Sequence, residues 1–466
     1  MQRHDAARLG ALRVGINIFP LIFFTLVGCA SFDPNNIILR HGAAQEEQTP
    51  VPTAWNGVLG EETRLAAFDF VWNTINERYY DPNLNGAHWS AARKRYLPSA
   101  LAAQDDEAFW DVLDKMAGEL KDSHTRVESP QRVKERRRYE NQTLGLAVTL
   151  LAGKLVVTRV NGASDAWWAG VRPGMIVRSM DGEEAVVAFQ RLLDSTRSAS
   201  TQQARLQYAI GKLNRGAPGS SVSMTFERAD GSLISATLKR RLVYFPPQVL
   251  ARRLPSGLGY ISFNHFLPSL SGQVHAALQE YHDAPGIIVD LRNNGGGSLD
   301  VANGLLDAFF KDKVTMSTQI TRTGRPITLA WGLVEVIKME YHTTTKQRAY
   351  SGAVAILMNA GSASASELFS VAMQDHGRAV VVGETSCGCL LGYLGYANIP
   401  GGGELAYSEI GFISPKGRRI EGAGVVPDKL APLTQADLQL SRDRALEEAQ
   451  EMLKAEIDKK KLAVKF

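Results

Sequence analysis

Within the run Gly361-Ser362-Ala363-Ser364-Ala365-Ser366-Glu367, small hydroxylated residues stand directly before an apolar helical stretch. Upstream, Ala353 to Met358 is a continuous apolar run of buried-strand length, and downstream Leu368, Val371 and Ala372 recur at helical spacing. The order strand, tight turn, helix presents a hydroxyl at a helix N-terminus, where unpaired N–H groups favour a developing oxyanion. That is the setting of a serine nucleophile. The same residues also fit a plain helix cap, with Glu367 completing a capping box with Ser364. His124 is the histidine to set beside this turn, because Lys121-Asp122-Ser123-His124-Thr125 follows a helical stripe and surrounds it with small polar groups. A loop can carry it into a cleft, or it can serve a helix C-terminus through the dipole. Cys387 and Cys389 have no companion pair or histidine cluster at metal-binding spacing, so no metal site is expected. One residue apart, they are also expected to stay unbridged, leaving stability to the core.

The 466 residues are long enough for about three domains. Charged residues make up 21%, the apolar set 44%, and the formal net charge is +4, a balance that gives no reason to expect nucleic acid as a partner. Arg3, Arg8 and Arg13 precede an apolar stretch from Val14 to Val27, of secretory h-region length. The following Leu26-Val27-Gly28-Cys29 resembles a bacterial lipoprotein signal. The resemblance implies cleavage before Cys29 and lipidation there, and Ala30 in the next position implies outer-membrane sorting. The expected location is the bacterial cell envelope, lipid-anchored on the periplasmic face of the outer membrane. Residues 29–57, with Pro34, Pro50 and Pro52, read as a tether.

From Glu61, the stripe of Phe68, Val71, Trp72, Ile75 and Tyr79 predicts a helix stopped by Asp81-Pro82. A second helix from Asp105, with Phe109, Leu113, Met116 and Leu120 on one face, delivers the chain to His124. The run Lys134 to Arg138 is expected on a solvated face. Between Leu144 and Arg241 the pattern is β-rich, ending in a hairpin of Val222, Met224 and Phe226 against Ile234, Ala236 and Leu238. Buried strands follow at Leu258–Phe263 and Gly286–Leu291. The second opens into Arg292-Asn293-Asn294-Gly295-Gly296-Gly297-Ser298 and a helix of Val301, Leu305 and Phe309. Glycines there let backbone amides approach a ligand, while the Gly-Lys-Ser/Thr ending of a phosphate loop is missing. Repeated strand and helix imply an α/β core, and the C-terminal segment from Gln435 reads as an amphipathic helix with a lysine-rich tail.

The β-rich stretch resembles a PDZ domain through Thr143-Leu144-Gly145-Leu146, similar to a carboxylate-binding loop, and through Val171-Arg172-Pro173-Gly174-Met175-Ile176-Val177. Residues 188 to 216 are longer and more helical than that pattern. Together with Asp290-Leu291-Arg292-Asn293-Asn294-Gly295-Gly296-Gly297, the serine run, Gln374-Asp375-His376-Gly377-Arg378, Val382-Gly383-Glu384-Thr385 and Gly422-Ala423-Gly424-Val425-Val426-Pro427-Asp428, the chain from about residue 60 to 432 resembles the C-terminal processing, or tail-specific, serine peptidases. The resemblance implies an α/β, crotonase-like (ClpP-like) catalytic core, an inserted PDZ-like β-rich domain and an N-terminal helical domain. It makes Ser364 the nucleophile and the amides of Ala365 and Gly296 the oxyanion hole. It makes Leu144, Gly145 and Leu146 the peptide-binding loop.

Typical members use a lysine base where this chain has Cys389, and a thiol of ordinary pKa does not replace a neutral amine. A second branch, which includes the tricorn core protease, is similar in using histidine and glutamate instead. Leu120-Lys121-Asp122-Ser123-His124-Thr125 and Ile420-Glu421-Gly422-Ala423-Gly424-Val425 resemble its segments, which implies a Ser364–His124–Glu421 triad. Glu384, Glu367 and Asp375 are competing carboxylates, and Lys416 is a candidate displaced lysine. The expected division is a signal peptide over 1–28, the tether over 29–57, a helical domain over 58–138, the PDZ-like domain over 139–242, the peptidase core over 243–434 and the C-terminal helix and tail over 435–466. The expected activity is hydrolysis of polypeptides bearing exposed C-termini, with no cofactor. The alternative is a catalytically inactive PDZ scaffold of the cell envelope.

Overall fold

The computed structural model describes residues 59–217, 219–345 and 348–463, together with Phe32, Asp33 and Ile37. The expectations for residues 1–28, for Cys29 and for most of the tether lie outside the described residues. The stripe beginning at Glu61 folds as the helix Glu61–Arg78, with Phe68, Val71 and Ile75 buried. Asp105 accepts the Ala108 N–H at 2.8 Å and starts the helix Asp106–Gly118. Between them lies Trp89–Leu101, a helix with Pro98 inside it that the apolar spacing does not announce. Tertiary contact holds it: Trp72 Nε1 donates to Trp89 O and Trp89 Nε1 to Trp72 O, both at 3.1 Å.

This helical region does not close on itself. Its core cluster takes in Leu391, Ile399, Leu405 and Tyr407 from far along the chain. The strand Arg126–Glu128, just after His124, pairs antiparallel with Glu404–Ala406. The run Lys134 to Arg138 lies on a largely exposed face, as expected, but two of its arginines also reach inward. Arg136 donates to Glu128 and Glu404, and Arg137 to Glu404 at 2.6 Å. Two buried carboxylates on neighbouring strands need those guanidiniums.

The β-rich insert pairs Leu146–Leu151 with Lys154–Val160 and Ser221–Glu227 with Leu233–Lys239, joined through Ile176–Met180. Its own apolar cluster includes Leu144, Leu146, Val177, Phe189 and Phe226. Two helices, Ala185–Ser195 and Gln202–Asn214, pack on it and are joined by residues 196–201.

The core sheet among the described residues runs Val249–Arg253, Gly259–Phe263, Gly286–Asp290, Ala353–Met358, Val380–Gly383 and Lys429–Leu430. The first pair is antiparallel and the rest are parallel. Parallel strands covered on both faces read as unbroken apolar runs. Val354, Ile356 and Met358 face one cluster, and Ala353, Ala355 and Leu357 face another that the C-terminal helix Arg444–Ala463 covers.

Candidate active site

Ser364 sits between the end of strand Ala353–Met358 and the helix Ala365–Asp375, at φ +56° and ψ −119°. A side chain there is strained by about 1–3 kcal/mol and persists only when its surroundings impose it. Those surroundings are specific. The Ala363 N–H donates to Asn294 O at 3.0 Å, and the Ser364 N–H is shared between Cys389 O at 2.9 Å and Glu367 Oε2 at 3.0 Å. Ser362 Oγ donates to Leu291 O at 2.8 Å and Ser366 Oγ to Asn294 O at 2.9 Å. Both of these flanking serines are fully buried, whereas Ser364 is half-buried. The outer hydroxyls are spent on carbonyls, whereas Ser364 stands at the helix start and forms the capping box with Glu367 that its spacing also suggested.

The glycine loop comes up against this turn. Gly296, at φ +94°, has room for no side chain: a Cβ would lie 2.7 Å from Ser364 Cβ and 2.8 Å from Ala365 N. Its N–H is taken by Asn294 Oδ1 at 2.9 Å. The expected oxyanion donor at Gly296 is therefore engaged in this arrangement, and the residue's evident contribution is the close approach itself.

Glu367 is wholly buried and accepts four donors: Ser364 N and Cys389 N at 3.0 Å, Gly388 N at 2.7 Å and Ser386 Oγ at 2.5 Å. Burial pushes its carboxyl up to about 7 against the pull of these bonds. Since all four partners donate, the ionised carboxylate is the form that fits. It splints the Ser364 turn to the segment Ser386–Cys389. Cys387 and Cys389 are joined as a disulfide, contrary to the expectation that they stay unbridged. Gly388 between them takes φ +70°, which folds the chain back and sets the two Cα atoms 5.2 Å apart, an ordinary bridging separation.

His124 is buried, and Asp122 holds its loop by accepting from His124 N at 2.7 Å, Thr125 Oγ1 at 2.5 Å and Ser408 Oγ at 2.6 Å. Burial, reinforced by Arg126 and only partly offset by Asp122, pushes the imidazole down to about 4. It is neutral near pH 7, the form that accepts a proton. Glu421 is also buried; its Oε2 accepts the Leu390 N–H at 2.7 Å. Burial and the charge of Asp122 raise its carboxyl well above the usual range. His124 Nδ1 and Glu421 Oε1 are both buried without a hydrogen-bond partner, so the expected link between them is not made in this arrangement.

The other candidates stand apart. Asp375, at the far end of the nucleophile helix, is occupied by Arg418, Ser414 Oγ and the Lys416 N–H. Asp375 lies about 16 Å along the helix from Ser364, and Lys416 is exposed beside Asp375. Glu384 accepts the Leu433 N–H at 2.8 Å. In the insert, Leu144 and Leu146 are buried; the Leu144 N–H donates to Asn214 Oδ1 and the Gly145 N–H to Thr143 Oγ1, both at 3.0 Å. Sequence reasoning passed over Asp122, which looked like a mere neighbour of His124, and the loop 196–201, whose only signal is that residues 188 to 216 outgrow their pattern.

A strained serine at the head of a buried helix, with a glycine loop closed upon it, defines a serine hydrolase site. Residues 257–430 match the model of peptidase family S41, and residues 61–118 match the tricorn protease C1 domain. A carboxyl-terminal-processing protease of Synechocystis is 25% identical over 370 residues, covering 77% of this chain and 79% of that relative. The chloroplastic carboxyl-terminal-processing peptidase 3 of Arabidopsis thaliana is 27% identical over 383 residues, covering 77% and 67%. The fold is shared with a photosystem II D1 C-terminal processing protease (TM-score 0.52, 22% identity, 84% of this chain and 97% of that one). Mature CPAF shares it as well (TM-score 0.59, 14% identity, 84% and 96%). The chain is a serine-type peptidase whose match to peptidase family S41 lies over residues 257–430.

Proposed function

We propose that this peptidase is an exported, lipid-anchored endopeptidase of the cell envelope that takes polypeptide C-terminal tails in a PDZ-like insert and cleaves through an acyl-Ser364 intermediate on a crotonase-like core. The observation that carries the catalytic part is Ser364 itself: strained, half-buried, and flanked by serines whose hydroxyls are already spent. In the proposed reaction His124 takes the Ser364 proton as Oγ attacks the peptide carbonyl, then returns a proton to the departing amine; water hydrolyses the ester by the same route. The Ala365 N–H at the helix start supports the oxyanion, joined by Gly296 N–H once it leaves Asn294. Nδ1 of His124 and Oε1 of Glu421 supply the remaining pair: each is an unsatisfied buried atom costing about 1–3 kcal/mol, and joining them removes both costs while the imidazolium offsets ionisation of the carboxyl. Cys389, in the position of the family lysine, has no proton-transfer role. The names of the carboxyl-terminal-processing relatives support tails as substrates. A tail carboxylate at Leu144, Gly145 and Leu146 exchanges with Asn214 and Thr143 for the loop amides.

Fluorophosphonate labelling and cleavage of unfolded casein by the full chain test this reading. Ser364→Ala is expected to abolish labelling and lower cleavage about a thousandfold or more, and His124→Ala to lower turnover by about two to four orders of magnitude. Equal labelling and cleavage in the wild type and Ser364→Ala would overturn Ser364 as the nucleophile.

A further inference from the structure

The loop 196–201 belongs by sequence to the insert but forms its principal contacts elsewhere. Arg197, buried, donates to Asp114 Oδ1 at 2.9 Å and to Asp122 O at 2.8 Å. Ser200 and Ser123 are bonded reciprocally: Ser200 N–H donates to Ser123 Oγ at 3.1 Å, Ser123 N–H donates to Ser200 Oγ at 2.9 Å, and the two hydroxyl oxygens lie 2.9 Å apart. Thr201 Oγ1 donates to Cys387 O, and a Cβ on Gly388 would lie 2.5 Å from the Thr201 methyl. Tyr208, on the following helix, donates to Ser123 O at 2.9 Å.

Every polar group of Ser123, the residue before His124, is thereby held by the insert. The histidine ring has no such anchor of its own, because Nδ1 is without a partner. Its aim depends on its backbone, which Asp122 fixes from the core side and Ser200 with Tyr208 from the insert side. On its opposite flank the loop overlies the turn that carries Glu421: a Cβ on Gly422 would lie 3.9 Å from Ser200 O. The groups facing His124 are Asp122 on its own loop, Arg126 on the next strand and the Tyr393 ring, with the insert's Arg197 behind on Asp122 O and Glu421 on the turn beyond Ser200.

We propose that Ser200 is a positioning residue of this site, supplied by the insert: it clamps the His124 loop against the Glu421 turn, so that any shift of the insert is passed directly to the base. This rests on the reading of Ser364, His124 and Glu421 as the triad. A misplacement of about 1 Å at a proton-transfer group costs on the order of a hundredfold in rate, which sets the expected size of the effect.

The full chain is compared as wild type, Ser200→Ala and Ser200→Thr. The measurements are kcat and KM on casein, and the side-chain NMR titration of His124, assigned through His124→Gln. Ser200→Ala is expected to lower kcat about tenfold to a hundredfold with KM within about twofold, and to displace the His124 titration midpoint. Ser200→Thr, which keeps the hydroxyl at a half-buried position, restores both. Should Ser200→Ala fail to fold, Tyr208→Phe removes one bond from the same clamp and is expected to act in the same direction. Unchanged kcat with an unmoved His124 midpoint overturns the proposal, as does a rise in KM alone, which would make the loop a tail-binding element. A wild type that neither cleaves casein nor labels sinks the triad reading and the proposal with it, and a His124 midpoint displaced in Ser200→Ala then shows only that the two loops are in contact.

Discussion

Ser362, Ser364 and Ser366 carry one functional group and differ in what claims it. Leu291 O takes the first, Asn294 O takes the third, and the second stands at positive φ over a glycine with no room for a methyl. The same closeness makes Gly296→Ala a sharp probe. An added Cβ meets Ser364 Cβ and Ala365 N well inside contact distance, and φ +94° strains any L side chain. The fluorophosphonate labelling rate is expected to fall at least about a hundredfold, with stability lower by about 1–3 kcal/mol in denaturant unfolding. A labelling rate equal to wild type would show that the glycine loop is not part of the reacting surface.

At the scale of elements, Ser386–Cys389 is the segment to test, because the resemblance sets Cys389 where typical members have a lysine. It is held by Glu367 and by Ser364 N–H, and its disulfide closes only a very short loop, which constrains little of the unfolded chain. The double variant Cys387→Ala/Cys389→Ala is therefore expected to keep kcat/KM within about fivefold; a loss of a hundredfold or more would give the sulfurs a part in the chemistry. The nucleophile strand and helix were legible in sequence because both-sided burial writes an unbroken apolar run and helical spacing follows it. Glu61–Arg78 and Asp106–Gly118 were legible for the same reason. Trp89–Leu101 was not, since its buried face is mostly small, Ala92 and Ala100 beside Trp89, Pro98 interrupts it, and reciprocal indole bonds help to hold it. The disulfide was hidden by the turn at Gly388, and the arginines at 136 and 137 by carboxylates that reach them only in three dimensions. Ser364, His124 and Glu421 came from motif order, whereas Ser200 depends on a contact between loops no local pattern records.

For the whole molecule, pH joins catalysis to stability through His124. In the proposed reaction the neutral imidazole is the working form, and burial has pushed its pKa down from 6.5 to about 4. The acid limb of kcat/KM is expected below about pH 5, read from a pH–rate profile; half-activity near 6.5 would mean a solvated base. The stability sign follows. Between these two pKa values the unfolded chain binds the proton that the folded chain refuses, so the contribution is full above 6.5 and is lost as pH falls through about 4, measurable as a falling denaturant midpoint.

The pairing of Arg126–Glu128 with Glu404–Ala406 also governs when the enzyme comes into being. The strand that follows the base finds its neighbour only after nearly the whole chain has been made, and Glu421 lies later still. No folded fragment ending before that turn contains a complete site. On the proposed triad, a half-synthesised or truncated chain is expected to be proteolytically silent until that last closure is made.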